Sequence, residues 1–296
     1  MKKNKRSNII LILVFLIGLI VLLYPTISDY INQFHATHAI SGYVEKLGGM
    51  SKEEEDTLRG AAQEYNKKLE GGRFIDGASS DPEYQSLLNV TGDGMMGYVE
   101  IKKLKVDLPI YHGTSESILQ HSIGHLEGSS LPVGGTGSHA VLTGHRGLPS
   151  AKLFTDLDQM EVGDTFTVNI LNETLTYEVD KISIVLPEDV TELLPDPEQD
   201  YITLVTCTPY AVNTHRLLVR GVRIDGPSSV HVAADAIQID PMLVAPAIAA
   251  PILVILLICL LVGTGKTDKR KDLKKKDSEK KKESEATGDG EKNAAE

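Results

Sequence analysis

Two uncharged apolar runs bracket the chain. Residues 9–24 read IILILVFLIGLIVLLY and residues 243–263 read LVAPAIAAPILVILLICLLVG. At a helical rise of about 1.5 Å per residue, the second run is long enough to cross a hydrocarbon core of about 30 Å, and it reads as a transmembrane helix. The first run follows Lys2, Lys3, Lys5 and Arg6, and no small-x-small cleavage pattern succeeds it, so an uncleaved anchor is expected rather than a removed signal peptide. Lys266, Lys269, Arg270 and Lys271 follow the second run. With basic flanks on both sides, the positive-inside rule predicts a two-pass cell-membrane protein with both termini cytoplasmic and the intervening residues facing outward.

Between the runs the polar pattern changes period. Ser51-Lys52-Glu53-Glu54 has the form of a capping box and opens a helix through about Leu69, in which Leu58, Ala61, Ala62, Tyr65 and Leu69 recur at helical spacing until Gly71-Gly72. Residues 71–95, rich in Gly, Ser, Asp and Asn, read as a partly ordered loop. From Gly97 to about Asp225, short alternating segments follow one another: YVEIKKLKVDLPIY, HAVLTG, TFTVNILNETLTYEVDKISIVL, YITLVTC and RLLVRGVRI. Strands this closely spaced predict an all-β barrel or sandwich, with Leu171-Asn172-Glu173-Thr174 as a hairpin turn and short helices at 115–120, led by Thr114 or Ser115, and at 150–158. The expected division is a basic flank at 1–8, an anchor at 9–24, a helical region with a possible lid loop at 25–96, a β-domain at 97–226, a linker at 227–242, a transmembrane helix at 243–263 and a low-complexity, disordered cytoplasmic tail at 264–296.

Composition narrows the classes. The 296 residues are 41% hydrophobic and 24% charged, an ordinary globular mixture. Residues 24–242 hold 32 Asp and Glu against 15 Lys and Arg, a net charge of −17 within a chain of −11. So acidic a domain is a poor nucleic-acid binder and a plausible acceptor of lysine-bearing partners. Of the two cysteines, Cys259 lies in the second apolar run and Cys207 in the β-domain, so no disulfide joins them and Cys207 is a free thiol facing outward.

Cys207 is the first candidate for chemistry. The strand Tyr201-Ile202-Thr203-Leu204-Val205-Thr206 delivers it to Pro209, which ends the ladder, leaving a thiol both held and reachable. A catalytic thiol needs a proton-exchanging partner and a group for the developing oxyanion. Among nine histidines, His145 stands out because Leu142-Thr143-Gly144-His145-Arg146-Gly147 ends an apolar strand in a glycine-flanked turn. His121 and His125 fall in a stretch that reads as helical, and His139 starts a strand. Arg216 opens the strand after the Cys207 turn, where facing ends of consecutive strands meet, and arginine stays cationic and forks toward oxygen. Arg220 and Arg223 read as structural. Thr206 and Thr143 are candidates for substrate binding, with a plain β-branched strand role as the alternative for Thr206.

The segments TLVTC, TGHRG and CTPYAVNTHRLLVRG, with histidine, cysteine and arginine in that order, resemble the sortases, the cysteine transpeptidases of Gram-positive surfaces. HLEGSSLPVGGTGSHAVLTGHRGLPSAKLFTDLD and a C-terminal apolar helix further resemble class C, the pilin polymerases. The resemblance spans residues 97–225 closely. It implies an eight-stranded sortase β-barrel with Cys207 as nucleophile, His145 as general acid and base, and Arg216 orienting substrate and stabilising the oxyanion. Implied too are cleavage of an LPXTG-like sorting signal between Thr and Gly, a thioester acyl-enzyme, transfer to a pilin lysine, and no metal or organic cofactor. Class C enzymes carry a lid with an Asp-Pro-aromatic motif. Here Asp81-Pro82 is followed by Glu83 and then Tyr84, which reads either as a variant plug or as an ordinary turn. Rival functions are a housekeeping sortase acting on lipid II and a non-enzymatic membrane-anchored surface protein. The second lacks the LPXTG-like pentapeptide such a protein carries before its apolar run.

Overall fold

The computed structural model describes residues 2–69, 80–226, 251–255 and 258. The expected linker at 227–242, the tail from 264 and residues 70–79 of the expected lid loop lie outside the described residues. So does most of the second apolar run, of which 251–255 and 258 are helical. The chain divides into two compact units, residues 1–23 with 237–296, and residues 24–236.

Helix α1 runs Lys2–Gly48 and contains one stretch, Ile12–Gly48, long and apolar enough to cross a membrane, with a mean hydropathy of 2.2 in its most apolar window. Its later turns are amphipathic. Ala36, Ile40, Tyr43 and Leu47 recur at helical spacing and are buried, and the Tyr43 hydroxyl donates to the Met96 carbonyl at 2.8 Å while accepting from the Leu171 amide at 2.8 Å. Helix α2, Lys52–Lys67, opens on the expected capping box, Ser51 and Glu54 satisfying each other's backbone amides, and buries Ala62 and Tyr65. Inside the segment read as a loop stands a short helix, α3, Pro82–Ser86. Asp81 caps it by accepting the Glu83 amide at 2.9 Å, and Pro82 occupies the first turn, where a missing N–H costs nothing.

Eight strands follow: β1 Met95–Ile101, β2 Val106–His112, β3 Ile123–His125, β4 Ser138–Thr143, β5 Thr165–Ile170, β6 Glu173–Val185, β7 Asp200–Thr208 and β8 His215–Ile224. They close a barrel in the order β1-β2-β3-β4-β7-β8-β6-β5. The pairs β2–β3 and β4–β7 are parallel and the rest antiparallel. The eight-stranded all-β expectation holds. So does the β5–β6 turn: Ile170 faces Glu173, and Leu171, at φ 55°, turns the corner with Asn172. Val99, Ile110, Phe166, Val168, Leu204 and Val219 are fully or almost fully buried inside. At Gly221 a Cβ would stand 2.6 Å from the Phe166 ring, which is why β8 needs a glycine there.

Three expectations are corrected. YVEIKKLKVDLPIY is not one strand: a 3-10 turn at Lys102–Leu104 and a left-handed Lys105 fold it into the β1–β2 hairpin. His125 lies in β3, not in a helix. The helix expected at 150–158 is replaced by turns and a 3-10 segment at Leu157–Gln159, because Leu153 takes a positive φ of 39° and the Phe154 amide turns back to the His145 carbonyl at 3.2 Å. The other short helix, α4 (Glu116–Leu119), forms with Ser115 at its N-cap.

Candidate active site

Parallel strands end together, and that property assembles this site. In the β4–β7 ladder Thr143 pairs with Val205, and the Gly144 amide donates to the Val205 carbonyl at 3.0 Å. One step further the chains are stitched twice more. The Thr206 hydroxyl donates to the Gly144 carbonyl at 2.7 Å, and Arg146 Nη1 donates to Thr208 Oγ1 at 3.1 Å. Both neighbours of Cys207 therefore hold both neighbours of His145. Arg146 is fixed in turn by the Thr155 carbonyl and the Asp158 carboxylate.

The antiparallel β7–β8 pair supplies the third group, with Cys207 directly opposite Arg216 and Val185 of β6 opposite Arg216 on its far side. Arg216 Nη1 donates to the His215 carbonyl at 3.2 Å and the Asn213 carbonyl at 3.4 Å, which leaves Nε and Nη2 of the fork for a ligand. Arg220 and Arg223 are otherwise engaged. Arg220 forks onto Asp180 and lies over the Tyr201 ring at 4.2 Å, while Arg223 approaches Glu173 at 3.6 Å and Tyr177.

The other barrel histidines differ in kind from His145. His125 donates from Nε2 to the Ser130 carbonyl at 2.8 Å and accepts the Tyr84 hydroxyl at Nδ1 at 2.9 Å. His139 donates to the Leu194 carbonyl at 3.0 Å and accepts from Thr203 at 2.7 Å. Burial pushes both rings down to a pKa of about 4. His112 is buried between the carbonyls of Gly94 and Leu87. His145 alone of these keeps an unbonded nitrogen: its Nε2 makes no hydrogen bond, and the nearest opposite charge is Glu116 Oε2 at 3.7 Å.

Thr206 is 1% exposed, with its hydroxyl turned to Gly144 rather than to solvent. Thr143 is half-buried at the end of β4. Asp81 and Pro82 begin α3, and Tyr84 is fully buried. It bridges His125 and the Gly113 amide at 3.0 Å and packs edge-on to His112, and none of these bonds is made to Cys207, His145 or Arg216. Two features escaped the sequence reading. Glu116 gives no sign of itself beyond its place at the start of α4. A buried apolar cluster of Val141, Leu193, Val205 and Leu218, with Leu126 and Val185 packed against it, lies on the face that carries Cys207, two residues beyond Val205.

Residues 99–224 match the family profile described as Sortase domain. A solved sortase C1 from Streptococcus agalactiae is 49% identical over 64% of this chain and 100% of that one, with a TM-score of 0.62. Sortase C of Streptococcus pneumoniae is 44% identical over 65% of this chain and 100% of that one, at 0.60. The curated Sortase D of Bacillus subtilis is 28% identical over 173 residues, 58% of this chain and 84% of that protein. With a free thiol, an imidazole and a guanidinium brought to one barrel end, and with likeness of this extent, the chain belongs to the sortase family of cysteine transpeptidases.

Proposed function

We propose that this enzyme polymerises pilins. Cys207 Sγ attacks the Thr–Gly carbonyl of an LPXTG-like sorting signal, His145 exchanges the protons, and Arg216 neutralises the tetrahedral oxyanion. Collapse releases the glycine amine and leaves a thioester, which a lysine amine of the next pilin resolves as an isopeptide. The observation that supports the reading is the double stitch, Thr206 to Gly144 and Arg146 to Thr208, which ties the residues flanking His145 to those flanking Cys207, while Arg216 pairs with Cys207 in the β7–β8 ladder. The Leu-Pro end of the signal lies along the sheet face that carries the thiol, which the buried cluster of Val141, Leu193, Val205 and Leu218 supports from beneath. The similar S. pneumoniae enzyme has pilin substrates.

In the same reading the apolar part of α1 anchors the enzyme and the 243–263 segment makes a second pass, with both termini cytoplasmic and the barrel outside. Thr143 borders bound substrate, whereas Thr206 acts on substrate only through the His145 segment. Asp81, Pro82 and Tyr84 pin α3 to the barrel and do not plug the thiol.

The test incubates the full chain, in detergent micelles, with LPXTG-type peptides and follows intact mass. Wild type gains the acyl mass, Cys207→Ala gains none, and Arg216→Ala gains it at least about a hundredfold more slowly, the size expected for losing an oxyanion donor. An adduct that survives Cys207→Ala would sink the assignment. Transfer to lipid II analogues in preference to pilin lysines would shift the function to housekeeping anchoring.

A further inference from the structure

Barrel order decides what stands on each side of the catalytic histidine. Across this end the strands run β3, β4, β7, β8, β6. Helix α4 leads into β3, His145 follows β4, and Cys207 lies near the end of β7, so His145 stands between Glu116 and the thiol. On the face of the sheet that carries Cys207, Val141 of β4, Val205 of β7, Leu218 of β8 and Leu193 from the segment before β7 form a buried apolar cluster that reaches across the strand of the thiol.

Glu116 is built to meet a cation there. Gln120 Nε2 donates to its Oε1 at 3.2 Å, while Oε2 is turned to His145 Nε2 at 3.7 Å, a nitrogen that is buried and makes no hydrogen bond, so that Glu116 stands between it and solvent. The side chain is 69% exposed, and among the described residues no lysine or arginine pairs with it. Of the cations on the His145 turn and the loop after it, Arg146 is held by Asp158 and Thr208 and Lys152 by Asp156.

We propose that Glu116 is the acceptor subsite, a carboxylate that receives the ammonium group of the incoming lysine beside His145; this rests on the transpeptidase reading above. A lysine amine, with an ordinary pKa near 10.4, arrives protonated and cannot attack until it loses a proton. The carboxylate holds the cation, and the unbonded imidazole nitrogen takes that proton. The amine nitrogen then bonds to the thioester carbon and the C–S bond breaks. Of the two protons the ammonium loses, one restores the Cys207 thiol and the other leaves through His145 to water.

The experiment compares wild type, Glu116→Gln and Glu116→Asp as full chains in micelles, with one sorting peptide and two acceptors: a lysine peptide, which is cationic, and hydroxylamine, which is uncharged at neutral pH. Glu116→Gln raises KM for the lysine peptide about fivefold, equivalent to ~1 kcal/mol for a partly exposed ion pair, and Glu116→Asp recovers part of this. The rate with hydroxylamine changes by less than about twofold, and the acyl-enzyme still forms. Equal losses with both acceptors overturn the proposal and make Glu116 a support for His145. No change with either acceptor overturns it as well. Wild type that forms no acyl-enzyme removes the transpeptidase reading and this subsite with it.

Discussion

Replacing Thr206 by valine keeps volume and branching and deletes one hydroxyl, the one that donates to the Gly144 carbonyl at 2.7 Å. Because the site is 1% exposed, water cannot take the hydroxyl's place, and the carbonyl is left without that donor. A buried hydrogen bond between neutral groups is worth about 1 kcal/mol net, and an acceptor left unsatisfied costs about 1–3 kcal/mol. For a domain of about 200 residues, each kcal/mol lowers Tm by about 2–4 °C, so the variant melts roughly 3–10 °C below wild type. Catalysis suffers more than stability, because the lost bond is one of three that hold the His145 segment against the Cys207 strand. A displacement on the order of 1 Å at a reacting group costs about a hundredfold in rate. Acyl-enzyme formation, followed by acid quench and intact mass below the lower Tm, falls by that order in Thr206→Val. In Thr206→Ser, which keeps the hydroxyl, it stays within about threefold. A valine variant that melts low yet acylates at the serine variant's rate refutes the reasoning: the hydroxyl would then serve the fold and not the histidine.

Tyr84→Phe removes a buried hydroxyl shared by His125 Nδ1 and the Gly113 amide, so Tm falls by about 3–10 °C while the acylation rate at permissive temperature stays near wild type. A faster acylation rate would instead identify Tyr84 as a plug. Gly221→Ala places a methyl 2.6 Å from the Phe166 ring and 2.9 Å from Tyr177 Cβ, and the overpacking costs about 1–3 kcal/mol, read as a lower midpoint in urea with unchanged slope. Burial depresses His125 and His139 from 6.5 to about 4, so the unfolded chain binds their protons first on acidification. Their contribution is full above pH 6.5 and is lost as pH falls toward 4, up to about 3 kcal/mol each. Thermal melts between pH 7 and 4.5 then drop on the order of 10 °C, and a flat profile over that window contradicts the buried neutral pair.

What could be read from the chain in advance depended on how far each signal reaches along it. Thr203 to Thr208 announces a strand by β-branching, and the return at Arg216 is the next strand, so the Cys207–Arg216 pairing followed from short-range pattern alone. The capping box at Ser51 is local in the same sense, and it held to the residue. β3 was missed because Ile123-Gly124-His125 is too short for any period to show, and its partners, β2 and β4, lie on either side of it in the barrel. The helix expected at 150–158 failed for a tertiary reason: Arg146 and His145 draw the Thr155 carbonyl and the Phe154 amide to themselves, and the turn follows their geometry rather than local propensity. Glu116 was invisible for the same reason, since only the barrel order brings α4 beside β4.

The placement of the site then follows from connectivity. Consecutive antiparallel strands put a strand's end next to its neighbour's beginning, which suffices for Cys207 and Arg216. It cannot bring two strand ends together. That takes a parallel pair, and in this barrel β4 and β7 are parallel because the β5–β6 hairpin and the long loop before β7 intervene and carry the chain back to its starting end. His145 and Cys207 thus lie on the same rim, each just past the last β4–β7 pair, Thr143 with Val205, while Cys207 is still paired with Arg216 of β8. The loop that makes this crossover also carries Leu193, which packs on Val141, Val205 and Leu218 beside the thiol. The connection that aligns the two reacting groups therefore also walls the face proposed to receive the sorting signal, and a change in that loop's length alters the site's selectivity while leaving the Cys207–His145 register, held by β4 and β7 themselves, in place.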